Sequence, residues 1–237
     1  MSGSALGLAV VTHLAIWVDT PGLPMGATLV ESVTGVHRVL AIEATSDAVS
    51  VSLDMGTVDV RVGDEDWQPW HSVGELPDLT TATRLELSLS SEGEGRPIEN
   101  THVKVGLRIA QALDARAFAD RDSGIAVAGV DLVHFVEGRA DPTLLWVAIV
   151  ASEDRLRTRG LAERGHPEIE IRGLGDDTED AELVLRALVR SWLSEGRRVR
   201  PRHRVQVNGS SLPVRRSRQG SGPPLLWVEV PAPTHDS

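Results

Sequence analysis

Two short runs point to the fold class. In Ala48–Asp54, Val49, Val51 and Leu53 alternate with Ser50, Ser52 and Asp54. In Thr57–Val62, Val58, Val60 and Val62 alternate with Asp59 and Arg61. Period-two alternation gives a strand one buried and one wet face, the habit of antiparallel sheet. Met55-Gly56 between the runs is a hairpin turn signal. Apolar patterning predicts further strands at Leu6–Val18, Arg38–Thr45 and Thr83–Ser91, the last with Leu85, Leu87 and Leu89 inward. Arg116–Asp120 reads as a short strand, Gly63–Leu79 as irregular chain, and Arg121–Glu137 as loop.

Helical spacing appears three times. Pro24 opens a short helix with Leu29, Val30 and Val33 on one stripe, and Gly35 stops it. Asn100 or Thr101 caps a second helix that reaches Leu113, with Val103, Leu107 and Ala110 inward. Gly106 within it costs about 1 kcal/mol relative to Ala, which predicts close packing there. Asp177 or Thr178 caps a third, ending near Glu195, with Ala181, Val184, Leu185, Leu188 and Trp192 on its buried stripe. Glu179, Asp180 and Glu182 suit its positive start, and Glu182–Arg186 is a supporting pair one turn apart.

Around these, Leu144–Val150 is wholly apolar and reads as a central strand, followed by a polar break. Pro167–Arg172 alternates. Val199–Val207 and Ser211–Arg216 flank Asn208-Gly209, the strongest short hairpin signal, and Leu225–Val230 closes the chain. Strands grouped around single helices predict an α+β fold. We expect mostly antiparallel sheets packed on a few helices, as two strand–helix–strand layers. The halves are 1–125 and 140–237, either as separate units or as one compact domain.

Charge divides the chain in the same way. Residues 1–154 carry 9 basic and 23 acidic groups, whereas residues 155–218 carry 15 basic and 9 acidic. An acidic half beside a basic segment implies internal complementarity or an anionic partner. Cys is absent, which removes disulfides, thiolate metal sites and thiol nucleophiles and suits a reducing, cytoplasmic setting. Ser4–Val18 is too short for a membrane helix and lacks a basic flank, so no membrane association is expected.

Thr158-Arg159-Gly160-Leu161 is followed by Gly165-His166-Pro167-Glu168. This block resembles an uncharacterised bacterial family in which Thr-(Arg/Lys)-Gly-(Leu/Met) precedes Phe-Gly-x-Pro-Glu. The chain departs from that pattern at Arg164, where the family carries an aromatic ring. The resemblance implies no activity. Physically, Gly160 and Gly165 permit sharp turns and Pro167 sets an extended entry to the next strand, so Thr158, Arg159, Gly160, Gly165, Pro167 and Glu168 read as a structural corner.

Candidate chemistry is sparse. His166, Glu168, Glu170 and Arg172 share one face of a strand, but neighbours nearly 7 Å apart converge poorly on one ion, so that face is read as solvated and no metal or other cofactor is expected. Asp64, Glu65 and Asp66 read as a solubilising turn, and Trp67 and Trp70 as core filler. No phosphate loop, dinucleotide or serine-hydrolase motif occurs, and no catalytic residue is assigned. If Asn208-Gly209 is a two-residue turn, Arg200, Arg202, Arg204 and Arg215 share one hairpin face and form a candidate anion- or partner-binding patch. The leading expectation is a non-enzymatic protein-interaction module with a protein partner. The alternatives are an anion or nucleic-acid binder using these arginines, or a hydrolase or transferase without a recognisable motif. Low aromatic content and overall negative charge disfavour nucleic acid.

Overall fold

Where apolar and polar residues alternate, strands form. A computed structural model describes residues 9–23, 26–34, 37–63, 66–92, 96–162, 164, 166–174, 178–193, 201–207, 209–216 and 225–230, with backbone only at 9 and 96–100. The fold is α+β, and the chain divides into two units, Met1–Leu145 and Trp146–Ser237.

The first unit runs β1 (Ala9–Val18), α1 (Gly26–Val33), β2 (Val39–Ala44), β3 (Ala48–Leu53), β4 (Gly56–Val62), β5 (His71–Val73), β6 (Thr83–Glu92), α2 (Arg96–Ala112), β7 (Ala117–Asp120), β8 (Ile125–Ala128) and α3 (Leu132–Val136). Its eight strands form one sheet in the order β2-β3-β4-β6-β1-β7-β8-β5. All pairs are antiparallel except β5–β8. One face is apolar: Leu14, Ile16, Val49, Val51, Val58, Val60, Leu85, Leu87 and Phe118 are buried there. α1 and α2 pack against this sheet. At Gly106 a Cβ would lie 2.3 Å from Leu14 Cδ1, so only glycine lets α2 sit this close. β8 and α3 form within 121–137, where a loop was expected. The buried run Ile125–Ala128 is too short to be told from a loop by period alone.

Buried polar groups interrupt this unit, His102 and Glu86 among them. His102 is fully buried, with Thr12 Oγ1 at 2.9 Å from Nδ1 and Ser91 Oγ at 2.7 Å from Nε2. On the other sheet face, buried Glu86 accepts from Arg61, Arg84 and Arg121. Beside it Trp67 stacks on Trp17 at 6.0 Å. Ala15, Ala117, Ala119 and Ala126 are small enough for Trp67, Leu76 and Leu79 to lie over them.

In the second unit, β9 (Ala148–Ser152), β10 (Arg155–Arg159) and β11 (Glu168–Arg172) precede α4 (Glu179–Leu193). Then come β12 (Arg204–Val207), β13 (Ser210–Pro213), β14 (Arg215–Arg216) and β15 (Leu225–Glu229). Five strands pair in the order β14-β15-β11-β10-β9, with only β11–β15 parallel. Leu156, Ile169, Ile171, Leu226 and Val228 are buried on one face of this sheet. α4 contributes buried Ala181, Leu185, Val189, Trp192 and Leu193 and packs on β9 and β10.

Two expectations are corrected here. Leu144–Val150 is not a central strand: Pro142–Leu145 forms a 3-10 turn, and Ala148–Ser152 is the edge of its sheet. Its apolar character comes instead from Leu145, Trp146 and Val147, which are buried ahead of the strand. The side chains read as one solvated face are buried instead: Glu168 is enclosed by the Thr158 hydroxyl and the Gly160 and Ala162 N–H groups, Glu170 lies under Arg172 and Arg155, and His166, ahead of β11, stacks on Trp192 of α4 at 5.2 Å. Among the described residues, no helix is long and apolar enough to cross a membrane.

Candidate functional site

The site grows from the pattern of β10. Arg155, Arg157 and Arg159 are exposed, while Leu156 and Thr158 between them are buried. This is period-two alternation with arginine on the open face. The run sits in what the sequence suggested was a polar break. The alternation is present in the sequence, but the Thr158-Arg159-Gly160 step reads as a corner and hides the strand.

Register fixes the neighbours. Val150 lies opposite Arg157, Arg157 opposite Glu170, Glu170 beside Trp227, and Trp227 opposite Arg215. Directly opposed residues share a face, so these five form one row across the sheet. Arg172 and Arg215 each hold a guanidinium 5.1 Å from the Trp227 ring centroid. Glu170 is buried and pairs with Arg172, and Arg155 Nη1 stands 3.9 Å from it.

Beyond Arg157 the β10–β11 ladder opens. The Ile169 N–H donates to Thr158 Oγ1 at 2.7 Å instead of to a carbonyl, and that hydroxyl donates to Glu168 Oε2 at 2.6 Å. Glu168 Oε1 accepts the Gly160 and Ala162 N–H groups, each at 3.0 Å. Both carboxylate oxygens are therefore occupied by internal donors. Gly160 adopts φ 120°, and a Cβ there would lie 2.1 Å from the Trp146 carbonyl oxygen. Arg164 lays its guanidinium 5.0 Å from the Trp146 ring centroid.

The open face encloses a hollow of about 420 Å³ lined by Val150, Ser152, Arg155, Arg157, Thr158, Arg159, Ala162, Glu168 and Glu170. Of its two carboxylates, Glu168 has internal donors on both oxygens and Glu170 is held at Oε1 by Arg172. Arg157, by contrast, has no ion pair or hydrogen bond among the described residues, although it lines the hollow. Arginine cannot shed its charge near neutral pH, so this is a standing cation at a concave surface.

Of the block read as a structural corner, Thr158, Gly160 and Glu168 are joined by hydrogen bonds, and Arg159 lines the same hollow. Pro167 leads into β11, and Gly165 lies outside the described residues. The hairpin register is the expected one, with Val205 opposite Leu212 and Val207 opposite Ser210. Beyond Arg204 opposite Pro213 the backbone pairing continues, with the Val214 N–H on the His203 carbonyl at 2.7 Å and the Arg202 N–H on the Val214 carbonyl at 2.8 Å, and Arg215 then pairs with β15. Arg204 bonds Ser211 Oγ at 2.9 Å, Arg202 takes a turn with φ 78°, and Arg200 lies outside the described residues. Asp64 and Glu65 lie outside them too. Trp70 is partly exposed and donates to the Ser123 carbonyl at 2.7 Å. Among the described residues no three His, Asp or Glu side chains are grouped as metal ligands.

No family model, curated protein or solved structure matches this chain.

Proposed function

We propose that this chain is a non-enzymatic, cytoplasmic interaction module whose second unit captures an acidic protein partner in the hollow lined by Arg155, Arg157 and Arg159. The observation that supports this most is Arg157: a cation with no partner among the described residues, at a concave surface where Glu168 and Glu170 are already engaged by internal donors. Anionic side chains entering the hollow would gain charge-assisted hydrogen bonds from the Arg157 guanidinium. Stacking of nucleobases finds less support, because the Trp227 ring on this face is already attended by two guanidiniums.

Titrating the full-length protein with a fluorescent glutamate-rich peptide tests this reading. Binding that weakens as salt is raised, and that a neutral peptide of the same length lacks, is the expected result. An oligonucleotide that binds while the acidic peptide does not would replace the protein partner with a nucleic acid. Absence of binding to both would remove the reading.

A further inference from the structure

We infer that the acidic segment adds itself to the free edge of β9 as a sixth strand, with its carboxylates at alternate positions. This rests on the reading of the Arg157 hollow as an anion site and states how the ligand lies in it.

The two edges of the five-stranded sheet differ. β14 closes one edge with only Arg215 and Arg216, a short, charged strand of the kind that discourages further pairing. β9 closes the other edge with Ala-Ile-Val-Ala-Ser, which has no charge and no proline. Val150, Ala151 and Ser152 are exposed, and among the described residues the only strand pairing with β9 is β10. An unguarded edge of this kind presents a row of unpaired backbone donors and acceptors to an incoming strand.

Spacing ties this edge to the arginines. Along β10 the three guanidinium-bearing residues recur every second position, about 6.6–6.8 Å apart. Alternate side chains of an added strand recur with the same period and on the same face. Such a strand would run two strand spacings, about 9.5 Å, from β10. Between them stands the row of Ala148, Val150 and Ser152, directly opposite Arg159, Arg157 and Arg155. These side chains are short, so a long arginine side chain can extend over them towards a carboxylate on the next strand. The ligand class is therefore an extended peptide with Asp or Glu at every second residue. Main-chain pairing supplies affinity, and the arginine row supplies register and selectivity.

The test uses full-length protein and labelled nonapeptides alternating glutamate and threonine. Two further versions carry N-methyl groups on one or the other alternate set of amides, and a fourth has the same composition with its glutamates grouped at one end. Strand addition predicts that one methylated peptide loses at least about tenfold in affinity while the other stays within about twofold. It also predicts that the grouped peptide binds more weakly than the alternating one. Equal binding of both methylated peptides, with binding still lost in R157E, would overturn strand addition and leave the anion site standing. The same division results if a single-stranded oligonucleotide binds in an Arg157-dependent way and the peptides do not. If no anion binds at all, both readings fall.

Discussion

Thr158 Oγ1 donates to Glu168 Oε2 at 2.6 Å, and both residues are buried beside an arginine-lined hollow. This contact, with the two backbone N–H groups on Oε1, holds the end of β10 against β11 where their ladder has opened.

Glu168 is therefore expected to carry stability out of proportion to its size. Glu168→Ala strands two backbone donors and a hydroxyl in a buried setting, where each unsatisfied group costs about 1–3 kcal/mol. The loss should reach about 3 kcal/mol, read from the urea midpoint at constant slope. Glu168→Gln keeps one acceptor oxygen and should lose less. An alanine variant that unfolds at the wild-type midpoint would contradict the assignment.

Gly160 should tolerate no side chain. Its φ of 120° is strained for any other residue, and a Cβ would overlap the Trp146 carbonyl at 2.1 Å. Gly160→Ala is expected to cost about 2–4 kcal/mol. Gly209, with φ 70° and nothing within 4 Å of a Cβ, is the control. Alanine there should cost only about 1 kcal/mol, the conformational term alone. Thermal melting of the two variants compares them directly, and equal shifts would show that the steric overlap at Gly160 has no effect.

In the first unit, Glu86 should matter far more than the outermost of its arginines. Arg84 is almost fully buried against it, whereas the Arg61 side chain is 63% exposed. Removing Glu86 leaves a buried guanidinium uncompensated, at about 3–5 kcal/mol. Arg61→Ala should cost less than about 1 kcal/mol, as exposed pairs do. Chemical unfolding of Glu86→Ala and Arg61→Ala measures both, and the reverse order would be a contradiction.

Much of the fold was legible because it obeys simple periods. β3, β4 and β6 alternate cleanly enough that Val49, Val51, Leu53, Val58, Val60, Leu85, Leu87 and Leu89 could be named as inward in advance, whereas Val62, at the end of β4, is exposed. The pairing of Val205 with Leu212, expected from the Asn-Gly signal in the sequence, is the one observed. The rest depended on long-range pairing. Whether a strand such as β11 is wet or buried depends on which strands flank it, and β15, its parallel neighbour, lies more than fifty residues along the chain. Glu168 and Glu170 read as solvated because nothing local announces their buried donors. Arg155 and Arg157 were missed for a different reason. Their alternation was visible, but arginine at every second position reads as polar chain until the buried partners of Leu156 and Thr158 are known.

The reading of the hollow is tested most directly by comparing two charge reversals that change net charge equally. Arg157 lines the hollow without a partner among the described residues, whereas Arg215 lies in the same row but at the far side of Trp227. Affinity for the alternating glutamate peptide should fall at least about tenfold in R157E and stay within about twofold in R215E, with both variants melting as the wild type does. Equal losses in the two variants would mean that the peptide responds to overall charge alone, and would contradict a site at Arg157.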